Sequence, residues 1–241
     1  MHELALESGS RYRRSQGDPL GERELVAAIL RGDGVAFEIV MRRHNRLMFR
    51  TARAILDNEA DAEDVVQDAY VKAYTRLDQF TGKARLSTWL CRIVVNEALG
   101  RLRRRMPHAQ PDDFVEEGVT TRSMDTSSPL VAASLSPEEE AARGQLRALL
   151  ERAIAALPRD QRAVFMLRAG EGFSIEETAD CLAGPPETVK TRLHRARKRL
   201  QRDLGSRFEA RLPEVFPFAG TRCDRVVAGV LRRFKDAAPP G

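Results

Sequence analysis

The chain is poor in side chains that do chemistry by themselves: three cysteines, four histidines and one tryptophan in 241 residues, with aromatics at only 6%. Cys91, Cys181 and Cys223 are odd in number, far apart and without the close Cys/His pairs of a zinc site. Reduced thiols are therefore expected, with neither a disulfide framework nor a metal centre. The histidines are scattered, no glycine-rich phosphate loop occurs and no nucleophile stands beside an evident base, so a catalytic set is not indicated and no cofactor is expected. No run of about 18 apolar residues appears, which speaks against membrane insertion. The N-terminus has no apolar signal core after its basic stretch, so a cytoplasmic protein is expected. Strand-like alternation is also missing, which points away from β-sheet.

What remains is helical patterning and charge. Hydrophobic residues at 42% supply cores, charged residues at 31% supply surface, and the formal net charge is +5. Ser174 followed three positions later by Glu177 is a capping box that starts a short helix, with Ile175, Ala179 and Leu182 spaced for its inner face. Gly184, Pro185 and Pro186 then end it, because proline lacks the donor and disfavours helix in the residue before it. Beyond the turn, Val189, Leu193, Ala196 and Leu200 recur at helical spacing, leaving Lys190, Thr191, His194, Arg195 and Lys198 outward. From Leu182 to Leu204 seven Lys and Arg face two acids, a local excess of five that equals the net charge of the whole chain. A short helix, a stiff turn and a basic helix suit a helix-turn-helix whose second helix enters the DNA major groove.

Composition divides the rest. Residues 1–21 have little apolar pattern and read as a flexible tail. Residues 22–106 form a helical first domain in which Phe37, Val40, Met41, His44, Leu47, Met48 and Ile55 repeat at three and four. Asp61 with Asp64 is expected to cap its next helix over an inner face of Val65, Ala69, Tyr70, Ala73 and Leu77, and a third helix starts near Ser87. Residues 107–136 turn to Pro, Asp, Glu, Thr and Ser and read as an acidic linker. Ser136, Pro137 and Glu139 open the second domain, 137–205, whose first helix continues through Leu146, Leu149, Leu150, Ala153, Ile154 and Leu157; Val164, Phe165 and Leu167 begin the next. The fold class is all-α: two small helical domains joined by a flexible linker, the second with the helix-turn-helix. Residues 206–241 form an extension with a short amphipathic helix, its stripe being Cys223, Val226, Val227, Val230, Leu231 and Phe234. That stripe is expected to cover the second domain, the alternative being a regulatory contact with another protein.

The strings Asp61 to Tyr70 and Leu86 to Asn96, then Leu157-Pro158, Glu176 to Ala179 and Thr188 to Arg197, resemble the extracytoplasmic-function group of bacterial RNA polymerase sigma factors over roughly residues 22–205. The resemblance implies a non-enzymatic promoter-recognition factor whose partners are core RNA polymerase and promoter DNA, with an anti-sigma protein as a further candidate. It places Asp64, Gln67 and Asp68 against the polymerase clamp; a solvated acidic face at a helix N-terminus is the plainer alternative.

For melting and holding the minus-ten element, Phe80, Trp89, Arg92 and Asn96 supply stacking and polar contacts. Arg101, Arg103, Arg104 and Arg105 follow for phosphates. Trp89 fits core packing as well as stacking, whereas an exposed Asn96 can read an unpaired base. For the minus-thirty-five duplex the resemblance implies contacts at Lys190, Thr191, His194 and Arg195, with Arg192 and Lys198 on phosphates, His194 equally fitting a helical histidine that touches no base. The acidic stretch from Asp112 to Glu117 is compatible with mimicry of a phosphate chain or with a merely solubilising linker. One departure concerns the turn, which in the family commonly carries an aliphatic residue followed by Pro-x-Gly or Pro-x-Ala and here reads Gly184, Pro185, Pro186, Glu187. The competing classes are a helix-turn-helix regulator that melts no DNA and a nucleic-acid enzyme with a DNA-binding appendage. The acidic face, the Trp89 to Asn96 set and the basic end of that helix favour the sigma reading, since a simple regulator needs none of them.

Overall fold

A computed structural model describes residues 21–105, 137–204 and 215–237, and among these every regular element is helical. The expected tail, the linker with Asp112 to Glu117 and the Ser136 cap lie outside the described residues. The helices are α1 Glu22–Leu30, α2 Gly34–Ile55, α3 Glu59–Thr75, α4 Leu86–Arg105, α5 Pro137–Ala155, α6 Arg159–Phe165, α7 Ile175–Leu182, α8 Pro186–Leu204 and α9 Thr221–Ala237. A short 3-10 turn, Leu77–Gln79, follows α3, and a π segment, Met166–Gly170, follows α6. Two compact units result. The first gathers α1, α2 as far as Ala52, α3, α4 as far as Ala98, and α9; the second gathers α5, α6, α7 and α8.

In the first unit the starts of α1, α2 and α3 are each held by a side chain. The Glu24 carboxylate accepts from the Gly21 N–H at 3.0 Å, and the Asp33 carboxylate accepts from Val35 and Ala36 N–H at 2.9 and 3.1 Å, satisfying donors that a helix leaves unpaired. For α3 the cap is Asn58, whose Oδ1 accepts from Ala60 and Asp61 N–H at 2.7 and 3.2 Å. The expected Asp61 cap is thus displaced by one turn. Asp61 instead lies within the first turn and is buried, where a carboxylate still favours the helix dipole. Val65, Val66, Ala69, Tyr70 and Ala73 line the inner face of α3. Tyr70 is fully buried, its hydroxyl donates to the Met41 carbonyl at 3.1 Å, and burial pushes its phenol well above the ordinary tyrosine range. Lys72 of α3 and Glu97 of α4 close the outer edge at 2.6 Å.

The stripe of α9 belongs to this unit and not to the second domain. Val226, Val227 and Val230 are buried, and Phe234 lies 5.9 Å from the Phe37 ring and 4.5 Å from the Tyr74 ring. Phe218, just before α9, stacks on Phe49 at 4.5 Å. The charges that flank the stripe explain the choice: Arg222, Arg225 and Arg233 meet Glu59, Glu63 and Asp68 of α3.

In the second unit Leu150 and Ile154 of α5 and Leu157 just beyond it are buried, whereas Leu146 and Leu149 are exposed. Ser174 and Glu177 form the reciprocal cap, Ser174 Oγ accepting from the Glu177 N–H at 3.0 Å and Glu177 Oε2 from the Ser174 N–H at 2.8 Å. The buried face of α7 is Thr178, Ala179 and Cys181, with Ile175 and Leu182 half-buried. Thr178 can turn inward because its hydroxyl donates to the Ser174 carbonyl at 2.8 Å, leaving no unpaired polar group. Val189, Leu193, Ala196 and Leu200 of α8 are all buried.

The turn into α8 puts its left-handed residue on Ala183, φ 50° and ψ 42°, and not on Gly184. The Gly184 N–H donates back to the Ala179 carbonyl at 3.0 Å, closing α7, and Pro186 takes the first position of α8, where its missing N–H costs nothing. A Cβ in the left-handed region is disfavoured by about 1–2 kcal/mol. Ala183→Gly is therefore expected to raise stability by about 0.5–1 kcal/mol after the added chain entropy of glycine. Denaturant unfolding of the full chain checks it; equal or lower stability contradicts the strain assigned to Ala183.

Candidate nucleic-acid interface

Three surfaces carry the residues singled out by sequence. The first is the outward side of α8. With its apolar stripe turned inward, Lys190, Thr191, His194, Arg195 and Lys198 fall on the solvent side, His194 and Lys198 exposed and the others half-buried. Glu187 organises the start of this face: its carboxylate takes Lys190 Nζ at 2.8 Å, and its carbonyl accepts from Thr191 Oγ1 at 3.0 Å. The Glu187 contact also holds the Lys190 ammonium above the ordinary lysine range. Arg199 and Arg202 are exposed further along. Donors on successive turns of one helix can follow a groove edge and its phosphates together.

Arg192 stands apart. Its guanidinium lies 3.1 Å from Asp160 of α6, with side-chain exposures of 16% and 26%. Burial pushes it below the ordinary arginine range while Asp160 opposes that shift. Its arginine stem thus ties α8 to α6, an anchoring role that the sequence alone did not suggest.

The second surface is α4. Trp89, Arg92 and Asn96 recur at i, i+3 and i+7 and so share one side. Trp89 is half-buried with its ring 5.5 Å from that of Phe80, while Arg92 and Asn96 are exposed. The intermediate burial of Trp89 is compatible with both packing and stacking. The loop Thr81 to Arg85 beside them is exposed, and Gly82 turns it with φ 71°. Arg101 is half-buried and Arg103, Arg104 and Arg105 are exposed at the helix C-terminus, where cations also suit the helix dipole.

The third surface is the outer side of α3. Asp64 is exposed, and Gln67 and Asp68 are half-buried. Arg233 of α9 lies 2.5 Å from Asp68, and Gly229 of α9 stands directly over the Gln67 amide. Sequence reasoning missed Glu59 and Glu63 as partners of α9. The signal was present in the arginines at 222, 225 and 233, which flank an apolar stripe and require counter-charges on whatever that stripe covers.

Among the described residues no group of three or more His, Cys, Asp or Glu could hold a metal ion, and no helix is long and apolar enough to cross a membrane. The family model described as Sigma-70 region 2 matches residues 40–107, and that described as Sigma-70, region 4 matches 147–200. The ECF RNA polymerase sigma factor SigM of Mycobacterium tuberculosis is 36% identical over 203 residues, covering 83% of this chain and 90% of that protein. The ECF RNA polymerase sigma factor SigW of Bacillus subtilis is 30% identical over 183 residues, covering 76% and 96%. Among solved structures, CnrH in complex with the cytosolic domain of CnrY aligns with TM-score 0.50 and 27% identity, covering 75% of this chain and 95% of that one.

The contrast within α8 is measurable. Arg192→Ala is expected to cost about 1 kcal/mol of stability through lost packing and its Asp160 contact. Lys198→Ala, on the exposed side, should stay within about 0.5 kcal/mol of the parent. Denaturant midpoints of the two variants decide it, and equal effects would remove the anchoring role of Arg192.

Proposed function

The chain belongs to the extracytoplasmic-function group of bacterial RNA polymerase sigma factors, and from that membership we propose how its named residues divide the work. As a sigma factor it binds core RNA polymerase and directs promoter-specific initiation of transcription; it is not an enzyme, and phosphodiester chemistry with its magnesium belongs to the polymerase. The reading is carried by one observation: both sigma-70 regions match in order along the chain, at 40–107 and 147–200. Residues 22–106 act as the polymerase-binding and minus-ten domain, 107–136 as the connecting linker and 137–205 as the minus-thirty-five domain. The site of action is the cytoplasm.

Asp64, Gln67 and Asp68 meet a basic surface of the polymerase clamp, the sign of their charge favouring that encounter. Phe80 and Trp89 offer stacking faces for unpaired minus-ten bases, Asn96 reads one of them, and Arg92, Arg101, Arg103 and Arg104 neutralise phosphates. A duplex pays stacking energy to open, and a surface holding bases singly repays it where aromatic and amide groups sit beside cations. In the second domain Lys190, Thr191, His194 and Arg195 contact the minus-thirty-five duplex and Lys198 its backbone. Arg192 is assigned mainly to holding α8 in place, its guanidinium being engaged by Asp160. The solved CnrH is in complex with the cytosolic domain of CnrY, and an anti-sigma protein is a further partner proposed for this chain.

Purified chain added to core polymerase on a genomic promoter library should create new run-off start sites and co-purify with core; neither outcome appearing would sink the reading. Lys190→Ala or Arg195→Ala should weaken duplex minus-thirty-five binding by about 1–3 kcal/mol, roughly 5- to 150-fold, and leave core binding intact. Loss of core binding in either variant contradicts the division between domains. Trp89 is the chain's one tryptophan, so its emission should change when single-stranded minus-ten DNA binds, and Asn96→Ala should lower that affinity with the stacking signal retained.

A further inference from the structure

The surface of α3 assigned to polymerase is already occupied, by the chain's own last described helix. Arg222 of α9 pairs with Glu59 and lies 3.4 Å from Glu63, Arg225 Nε lies 2.9 Å from Glu63, and Arg233 lies 2.5 Å from Asp68. Asp224, the acid in the first turn of α9, is met by Arg42 of α2 at 2.7 Å. Midway along, Gly229 is buried, and a Cβ at that position would stand 2.6 Å from Gln67 Cδ. A glycine inside a helix is costly, and here it allows close approach over the Gln67 amide. Gln67 and Asp68, both assigned to polymerase, are thus in contact with α9.

We propose that α9 is a built-in competitor for this face: it covers Gln67 and Asp68 in the free chain and is displaced when core polymerase binds. The proposal rests on the polymerase reading of Asp64, Gln67 and Asp68. The contact has the build of a replaceable one. Its ion pairs are partly exposed and hence screened, so a basic partner surface can substitute for the arginines of α9 charge for charge. Asp64 is exposed on the same helix, and its carboxylate adds to the negative charge that attracts a cationic surface. The apolar stripe of Val226, Val227 and Val230 holds the helix down, and the cost of uncovering it sets how strongly α9 competes. Because the two occupants share one face, the affinity seen by polymerase is reduced by the fraction of chains in which α9 is seated.

Hydrogen exchange on the full wild-type chain reads this directly. Amides of 221–237 should be protected in the free protein and exchange at least about tenfold faster in the holoenzyme; equal protection with core bound overturns the proposal. In parallel, the double variant Arg225→Glu with Arg233→Glu places like charges opposite Glu63 and Asp68 and should bind core about three- to tenfold more tightly. Unchanged or weaker binding overturns it. Asp64→Lys separates this from the underlying reading. If that variant binds core as well as the parent, both fall; if it binds more weakly while the α9 variant gains nothing, the competitor alone falls.

Discussion

The outer face of α3 takes its direction from the seating of Tyr70. A phenol removed entirely from water must find a partner for its hydroxyl, and the Met41 carbonyl of α2 supplies it at 3.1 Å. The ring lies edge-on to Phe37 at 6.1 Å, and the alanines at 62, 69 and 73, all at 0% exposure, leave room for a large side chain among them. With Tyr70 fixed, α3 has one rotation about its axis. Asp64 and Asp68 are then turned outward, and Lys72 reaches Glu97 of α4, whose Arg92 and Asn96 are exposed. A helix one residue out of phase would bury carboxylates and expose the aromatic, a loss no surface ion pair could offset.

Charge is segregated on this scaffold by element. The outer side of α3 is acidic, α8 and the end of α4 are basic, and each suits a different polymer: a basic protein surface for the first, phosphate for the others. Segregation has an internal consequence, because a chain carrying an acidic helix and a basic amphipathic helix can satisfy one with the other. The seating of α9 on α3 is that consequence. The pairing gains little energy per ion pair, and its specificity comes from the coincidence of an apolar stripe, a glycine at closest approach and arginines at the right spacing.

What was legible from sequence follows how local each cause is. The Ser174 and Glu177 cap and the Val189, Leu193, Ala196, Leu200 stripe depend on residues three and four apart, and both appear as read. Asn58 and Asp61 are both good capping residues one turn apart, and they look equivalent until the first turn is placed. Thr178 was missed as a buried residue because its hydroxyl finds its acceptor in the backbone one turn earlier. Leu146 and Leu149 look like core in a periodic string, yet a helix can extend past the body it packs on, and periodicity carries no information about where that body ends. The partner of α9 was the least legible feature, since a stripe declares that it must be covered without declaring by what.

The turn between α7 and α8 shows how a departure from the expected pattern is absorbed. A helix-turn-helix needs a left-handed residue to reverse direction, and here the prolines at 185 and 186 dictate which residue takes it. Gly184 precedes a proline and is steered away from helical conformation, so the reversal moves back onto Ala183 and the Gly184 N–H remains available to close α7 on Ala179. Pro186 then starts α8 with its φ already set, and Thr188 and Val189 N–H both turn back to the Pro185 carbonyl at 3.1 and 3.3 Å. The start of the basic helix is therefore stiff. A stiff start places Lys190, Thr191 and His194 relative to α7 in advance, so the strain at Ala183 lies in the turn while the outward face proposed for DNA is pre-organised by it.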